Sequence, residues 1–259
     1  MIEVRRSIRA ERDGLYELWA HVFSEDRQWL DRFFSLRYSP EDIFIARVDG
    51  VLASALHALP ASYVQGNRER RCSYIVGAAT DERYRRRGLM GQVLEHTAAA
   101  YDHPITLFPA VREFYGGHGY HTTSSLLSFP LQGQIEGERA LCGFAWTVLD
   151  RIYRSANEER GYLVRDEAAW GFLTSGYETV CTQDAYAFVS DGKAVEAFAL
   201  TQAAARRLLE ELTRVGVSSL QCLANSPLSR LLGEENGVPT PMGMSTHPSM
   251  DGVYIAEQY

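Results

Sequence analysis

The segment from residue 74 to residue 104 constrains the fold more than any other part of the sequence. It begins with apolar and small residues, Tyr74-Ile75-Val76-Gly77-Ala78-Ala79-Thr80, a composition typical of a strand inside a sheet. A turn with three consecutive arginines follows, and then Leu89, Val93 and Leu94 recur at helical spacing until Pro104 ends the run. The sequence therefore predicts a strand, a basic turn and a helix in direct succession.

This basic turn has the chemistry of a phosphate site. The N–H groups in the first turn of a helix have no partner within the helix, and the helix dipole favours an anion beside them. Gly88 lets a ligand approach the backbone, and Arg85, Arg86 and Arg87 offer charge-assisted hydrogen bonds to phosphate oxygens. Because the chain carries a net charge of −7, the arginines are a local feature that favours a small anionic cofactor over a nucleic acid.

Two motifs give the chain a resemblance to a known family. The segment Arg85-Arg86-Arg87-Gly88-Leu89 resembles the acetyl-CoA pyrophosphate loop of the GNAT superfamily of N-acetyltransferases, with Met90 where glycine or alanine is usual. The Eis-type branch of that superfamily shares this departure. Residues 107–110 and 114–120 resemble that branch's fifth strand and its tyrosine segment.

The resemblance implies a fold, a co-substrate and a set of contacts. The fold is an α/β fold of the α+β type with a mixed sheet, the acyl-CoA N-acyltransferase fold, in which the fourth and fifth strands splay apart around acetyl-CoA. The implied cofactor-binding residues are Ala78, Ala79, Thr80, Arg85, Arg86, Arg87, Gly88, Leu89, Met90, Gly91, Ala110 and Val111.

Tyr115 is the catalytic residue that the resemblance implies. Transfer of an acetyl group from a thioester to an amine requires alignment of the reactants, stabilisation of an oxyanion and protonation of the departing thiolate. A phenol, with a reference pKa of about 10, is neutral at pH 7 and can protonate a thiolate whose reference pKa is about 8.5. Backbone N–H groups near Ala79 are expected to meet the oxyanion.

The sequence leaves open which base accepts the proton of the amine. Residues 74–80 contain no carboxylate and no histidine, so a water chain is one candidate. In the Eis-type branch the C-terminal carboxylate reaches the active site, which by resemblance makes Tyr259 a second catalytic candidate. His118 and His121 are rival bases.

The two halves of the chain are expected to share one plan. Asp49-Gly50 predicts a hairpin in the first half, and residues 120–131 are expected to form the last hairpin of that half. Residues 190–193 predict a hairpin in the second half, followed by a helix capped by Thr201. The start of that helix has no glycine, and no arginine before Arg206. We therefore predict a catalytic GNAT domain over residues 1–135 and a degenerate GNAT-like domain without the loop over residues 136–259, with an unrelated α+β cap as the alternative.

Aromatic residues near the N-terminus have two interpretations. Trp29, Phe33 and Phe34 crowd one face of a predicted helix over residues 28–36, after a helix that carries Trp19. Core packing is one reading. The other is an aromatic groove for a hydrophobic or cationic amine.

The cysteine pattern and the hydropathy of the chain indicate where in the cell the protein is located. The four cysteines show no Cys-x-x-Cys spacing, which predicts reduced thiols and neither a zinc site nor a disulfide framework. No apolar run of signal-peptide length opens the chain, and no apolar stretch reaches 18 residues. We expect a cytoplasmic protein that needs no metal, spans no membrane and binds no nucleic acid.

These features together predict an enzyme. We expect an acetyl-CoA-dependent N-acetyltransferase that moves an acetyl group to a small-molecule amine by direct transfer. The alternatives are a noncatalytic acyl-CoA-binding regulatory module and a transferase for a longer acyl group. The sequence leaves open the identity of the amine and whether the protein is a homo-oligomer.

Overall fold

The contacts divide the chain into two units. The computed structural model describes residues 1–23, 27–132, 143 and 145–256. The first unit comprises Met1–Val64, Arg68–Thr123 and the segment from Gly243 onward, and the second comprises Gln65–Asn67 and Ser124–Met242. The predicted boundary between residues 132 and 139 lies largely outside the described residues.

The first unit is built on a mixed sheet. Its strands are β1 (Ile2–Arg6), β2 (Ile43–Val48), β3 (Val51–Gln65), β4 (Arg68–Thr80), β5 (Ile105–Leu107), β6 (His121–Thr122) and β14 (Met244–Ser245), in the order β1-β2-β3-β4-β5-β14-β6. Its helices are α1 (Arg12–Phe23), α2 (Arg27–Leu36), α3 (Leu89–Ala99) and α4 (Arg112–Gly116). Strands β4 and β5 run parallel, and α3 connects them.

Apolar packing fixes the position of α3 on this sheet. Leu89, Val93 and Leu94 of the helix belong to one buried cluster with Ile75 of β4 and Leu107 of β5. Each fully buried side chain of this kind contributes roughly 1.5–3 kcal/mol. The first turn of α3 is therefore held against the sheet.

The predicted hairpin between β2 and β3 is confirmed. The strands pair antiparallel from Val48↔Val51 back to Ile43↔His57. Asp49 and Gly50, at the turn, have positive φ values of 50° and 82°. A two-residue turn of this kind matches the twist of the strands that it joins.

The second unit has a sheet of its own. The strands of this sheet are β7 (Ser125–Pro130), β9 (Glu178–Thr182), β10 (Ala185–Ser190), β11 (Lys193–Ala199), β12 (Ser219–Cys222) and β13 (Val238–Pro241), while the short strand β8 (Tyr162–Leu163) is not part of it. Its helices are α5 (Trp146–Asn157), α6 (Glu167–Gly176), α7 (Gln202–Arg214) and α8 (Pro227–Leu232). The sheet order is β13-β7-β12-β11-β10-β9, and β11 and β12 run parallel with α7 between them in the chain.

The helix starts of the two parallel crossovers differ. In the second unit, Thr201 precedes α7, and its hydroxyl accepts a hydrogen bond from the N–H of Ala204 at 3.1 Å. In the first unit, Gly88 precedes α3 and has no side chain with which to cap it. The N–H groups at the start of α3 are therefore left for other partners, as the sequence predicted.

A buried ion pair lies in the second unit and was not predicted. The guanidinium of Arg165 donates to both carboxylate oxygens of Glu196, at 2.7 and 2.6 Å, and lies 3.9 Å from the ring centre of Tyr153. Tyr186 donates a further hydrogen bond to Glu196 at 2.7 Å. The bonds to Arg165 and Tyr186 compensate for the desolvation of the buried carboxylate.

Two expectations from the sequence are wrong. Residues 120–131 do not form a final hairpin, because β6 pairs with β14 while β7 pairs with β12 and β13, and the chain passes from the first unit to the second between them. Cys181 is disulfide-bonded rather than reduced, whereas Cys72 and Cys222 are free and buried. No helix in the described part of the chain is long and apolar enough to cross a membrane.

Candidate active site

The pairing between β4 and β5 stops well before β4 ends. The two strands match Ser73 with Ile105, Tyr74 with Thr106 and Ile75 with Leu107, and β4 then continues to Thr80. Ala78, Ala79 and Thr80, the predicted contacts for the pantetheine arm, all lie in this extension. An extended ligand can hydrogen-bond to such a backbone as an added strand does.

Gly77 bends β4 at the start of this extension. Its φ is +62°, a conformation that favours glycine. A Cβ at this position would lie 2.7 Å from Cε2 of Trp19, so the indole of α1 packs directly on the backbone of β4. Sequence reasoning assigned Gly77 only to a set of small residues and missed its contact with Trp19.

Asp81 holds the turn that follows β4. Its carboxylate accepts hydrogen bonds from the backbone N–H of Arg83 at 2.9 Å and from the guanidinium of Arg83 at 3.0 and 2.7 Å. These bonds lower the pKa of Asp81 to about 2. Sequence reasoning missed this anchor, although an aspartate at the start of a helical turn is a recognisable cap.

Two of the three arginines in the loop also support the backbone. The Nε of Arg85 donates to the carbonyl of Thr80 at 3.1 Å, and Arg87 donates to the carbonyl of Arg83 at 3.1 Å. Both side chains are exposed and keep further donors. The loop is thereby tied to the end of β4.

Arg86 and Gly88 give the loop its unusual backbone. Their φ values are 61° and 71°. A left-handed conformation costs a residue with a side chain roughly 1–2 kcal/mol, and such strain is concentrated at functional sites. Within the described part of the chain, the exposed guanidinium of Arg86 makes no hydrogen bond or ion pair. It is free to meet an anion.

The other predicted cofactor contacts differ in exposure. Leu89 is buried in the core cluster, so only its backbone is available, whereas Met90 is half-buried. Gly91 packs under His118, because a Cβ there would lie 2.6 Å from Cε1 of that imidazole. Ala110 and Val111 are exposed just before α4.

Tyr115 lies on α4 and is 9% exposed. It shares the core cluster of Ile75 and Leu107, and its ring lies 5.3 Å from that of Phe114 and 5.8 Å from that of Tyr120. Burial raises the pKa of Tyr115 to about 12. The phenol therefore keeps its proton at neutral pH.

The candidate bases are placed differently. His121 contacts the carboxylate of Asp251 at 2.7 Å, while the ring of His118 lies 4.8 Å from that of Phe114. Tyr259 lies outside the described residues. The segment that leads to it is buried in the first unit at Tyr254 and Ile255.

The N-terminal aromatic residues form a packed cluster around an unpredicted histidine. Trp19, Phe33 and Phe34 are buried, as core packing predicts, whereas Trp29 is half-buried. His57 of β3 stacks on Trp19, and burial lowers its pKa to about 3, which keeps the imidazole neutral. In the described part of the structure, neither ring nitrogen of His57 has a hydrogen-bond partner.

The described residues offer no metal centre. Among them, no group of three or more histidine, cysteine, aspartate or glutamate side chains is placed to hold an ion. The candidate site therefore consists of backbone groups, arginines and a buried phenol.

Comparison with known proteins confirms the predicted family resemblance over the first unit. The family profile described as "Acetyltransferase (GNAT) domain" matches residues 3–123. No curated protein sequence matches the chain.

Solved structures confirm the predicted fold class over nearly the whole chain. A probable N-acyltransferase from Enterococcus faecalis is 16% identical, with a TM-score of 0.69 over 95% of this chain and 72% of that one. Eis1 from Mycobacterium abscessus is 15% identical, with a TM-score of 0.66 over 95% and 73%. A putative acetyltransferase from Pyrococcus horikoshii is 13% identical, with a TM-score of 0.61 over 94% and 88%.

The contact between Gly77 and Trp19 yields the first prediction. Gly77→Ala should destabilise the fold by about 1–2 kcal/mol for the left-handed backbone and by about 1–3 kcal/mol more for the collision with the indole. Urea unfolding would measure the loss. The matched control is Gly66→Ala, which has a φ of +57° and no atom within 4 Å of the added Cβ. An equal loss in both variants would contradict the packing argument.

Proposed function

We propose that this chain is an acetyl-CoA-dependent N-acetyltransferase that acts on a small amine by direct transfer, because residues 3–123 match the profile of the GNAT acetyltransferase domain. The observation that carries the proposal is the end of the β4–β5 ladder at Ile75, beside a helix start that no side chain caps within the described residues. A strand-like slot and an anion site thus lie next to each other, which suits a pantetheine arm joined to a diphosphate.

The loop is the proposed site of the diphosphate. The N–H groups of Leu89, Met90 and Gly91 lie in the first turn of α3, where the helix dipole favours negative charge. Gly88 has no atom within 4 Å of the position that a Cβ would occupy, so a ligand can reach the backbone there. Arg85, Arg86 and Arg87 add charge-assisted hydrogen bonds.

The extension of β4 is the proposed site of the acetyl group and its arm. Ala78, Ala79 and Thr80 have small side chains, and Ser54 already hydrogen-bonds to the carbonyl of Ala79 at 3.0 Å. That bond fixes one peptide group, while backbone N–H groups near Ala79 face the oxyanion that forms. Ala110 and Val111 complete the proposed contacts at the start of α4.

In the proposed reaction the acetyl group moves from sulfur to nitrogen, while the nitrogen gives up a proton and the sulfur receives one. The amine nitrogen attacks the thioester carbonyl, a C–N bond forms, and the C–S bond breaks as the tetrahedral intermediate collapses. The nitrogen loses one proton, and the departing thiolate gains one. Holding both reactants in one complex contributes much of the rate through alignment.

Tyr115 is the proposed donor of the proton to the thiolate. Its burial raises its pKa to about 12, so the phenol is protonated at every pH at which the enzyme would work. A phenol of that pKa is a weaker acid than one in water. The same desolvation also raises the pKa of a thiol that leaves beside it, which restores part of the driving force for proton transfer.

We propose that the second unit is a degenerate GNAT-like domain that binds no CoA. Its helix α7 repeats the position of α3 in a parallel crossover, but the hydroxyl of Thr201 caps it. The N–H of Ala204 is therefore already satisfied, and a phosphate would have to displace the cap. We also propose a cytoplasmic location for the chain, although disulfides such as that of Cys181 are rare in cytosolic proteins.

Removal of the Tyr115 hydroxyl tests the proposed acid. Tyr115→Phe should lower kcat by roughly 10²–10⁴-fold while the affinity for CoA stays the same, because the hydroxyl acts on the leaving thiolate. Steady-state thiol release over a panel of amines and calorimetry with CoA would measure both. The control is Tyr120→Phe, which removes a neighbouring buried hydroxyl that has no partner among the described residues. Wild-type turnover in Tyr115→Phe would exclude the role.

The proposed role of the loop arginines can be tested by comparing CoA with pantetheine, a fragment of CoA. Arg86→Gln should weaken CoA binding by roughly tenfold, because it removes a charged hydrogen-bond donor, and should leave binding of pantetheine, which lacks the diphosphate, unchanged. Calorimetry with the two ligands would show the difference. Arg68→Gln, at the other end of β4, is the matched control. Equal weakening of both ligands would show that the variant disturbs the fold rather than the diphosphate site.

Truncation tests the proposed role of the Tyr259 carboxylate as a base. Deletion of residues 257–259 should lower kcat most strongly at low pH, where the amine needs a base, and should leave CoA binding intact. The pH profile of kcat in wild type and truncated protein would measure this. Full turnover after the deletion would leave a water chain or His118 as the base.

A further inference from the structure

A cavity lies beside the start of β4 and the end of α3, at the ends of these elements that are far from the proposed CoA loop. It has a volume of about 700 Å³ and is lined by the start of β4, the end of α3, the start of β5 and residues that follow β14. All of these belong to the first unit. The volume is in the range of small-molecule sites.

This cavity is well separated from the proposed CoA loop. Arg71 lines it, whereas the loop begins after Thr80, and nine residues of strand at about 3.3 Å each separate them by roughly 30 Å. Ala98 lines the cavity near the last turn of α3, whereas the loop precedes its first turn. A ligand can therefore occupy each place without touching the other.

Positively charged groups with free donors border the cavity. Arg70 and Arg71 are exposed, and neither guanidinium makes a hydrogen bond or ion pair within the described part of the chain. Arginines of this kind are the side chains best suited to bind a carboxylate or phosphate through two parallel hydrogen bonds.

Two histidines add oriented hydrogen-bonding groups. The Nδ1 of His247 accepts a hydrogen bond from the N–H of Ser249 at 3.0 Å, which leaves its Nε2 protonated as a donor. The Nε2 of His103 contacts Ser73 Oγ at 2.9 Å. Burial and then the positive charge of Arg71 lower the pKa of His103.

One carboxylate also borders the cavity. Asp102 lies 3.5 Å from Nδ1 of His103, but its side chain is fully exposed to water, which screens its charge. The two guanidinium groups of Arg70 and Arg71 are permanently charged and outnumber this carboxylate. The balance favours an anionic ligand.

Apolar surface borders the cavity as well. The half-buried Tyr101 and Pro104 supply it, whereas Tyr63 and Ile105 are almost fully buried, with 1% and 2% of their surface exposed. The hydroxyl of Tyr63 contacts Ser249 Oγ at 2.9 Å. A ligand with an apolar body and one anionic head would satisfy both kinds of surface.

We propose that this cavity is a second ligand site, which binds a small organic anion, a carboxylate or a phosphate ester with an apolar body, independently of CoA. The arginines at the start of β4 hold the anionic head, His247 donates to it, and Tyr101 and Pro104 contact the apolar part.

Calorimetry on the full chain with saturating CoA tests the site, because CoA keeps the probes off the loop. Phenyl phosphate and benzoate distinguish the two anionic heads, and benzyl alcohol is the neutral control. We expect at least one anion to bind and benzyl alcohol not to bind. Arg71→Gln should weaken that binding by roughly tenfold or more, whereas Arg68→Gln, on the same strand but outside the cavity lining, should not change it.

Proton NMR of the wild-type protein gives a readout that needs no variant. The bound anion should shift the ring resonances of His103 and His247 and leave those of His21 on α1 unchanged. Absence of binding by both anions, loss of binding when CoA is added, or equal weakening by Arg68→Gln would overturn the proposal. Failure of these tests would leave the transferase assignment untouched, since that rests on the loop and on Tyr115.

Discussion

The structure of the first unit depends on where two parallel strands stop pairing. β4 and β5 share three matched residues, and β4 then continues to Thr80 with β3 still beside one edge and no β5 beside the other. Unpaired backbone groups in a sheet are costly unless they find partners. Here the bend at Gly77, the indole of Trp19 and the start of α3 surround the free stretch, so the fold itself supplies a slot with hydrogen-bonding groups along one side.

The loop between β4 and α3 is held by contacts that are separate from its proposed ligand contacts. Asp81 fixes Arg83, while Arg85 and Arg87 donate to backbone carbonyls. This internal support is strong enough to keep Arg86 in a left-handed conformation. A loop organised before the ligand arrives loses less conformational entropy on binding, and preorganisation of this kind is a general source of affinity.

Local patterns predicted the elements well, and long-range pairing is where sequence reasoning failed. The hairpin at Asp49-Gly50, the strand over residues 74–80 and the cap of α7 by Thr201 depend on neighbouring residues, and each was found. The pairing of β14 with β5 and β6 joins residues more than 100 positions apart, so the return of the chain to the first unit had no local signal. The buried pair of Arg165 and Glu196 likewise had no local signal in the sequence.

The candidate site shows the same division. The arginines, Gly88 and Tyr115 stand in motifs that can be read along the chain. The contact of Trp19 with Gly77 and the neutral His57 come from packing between elements. The sequence suggests only that small residues lie near the acyl group. The structure shows that the indole of Trp19 leaves no room for a side chain at Gly77.

Amide hydrogen exchange measured by NMR, with and without acetyl-CoA, tests the central claim most directly. If the open edge of β4 and the uncapped start of α3 hold the thioester, the N–H groups of residues 78–80 that point away from β3 and those of Leu89, Met90 and Gly91 should become protected together. Protection confined to other parts of the sheet, or no change at any of these amides, would contradict the account.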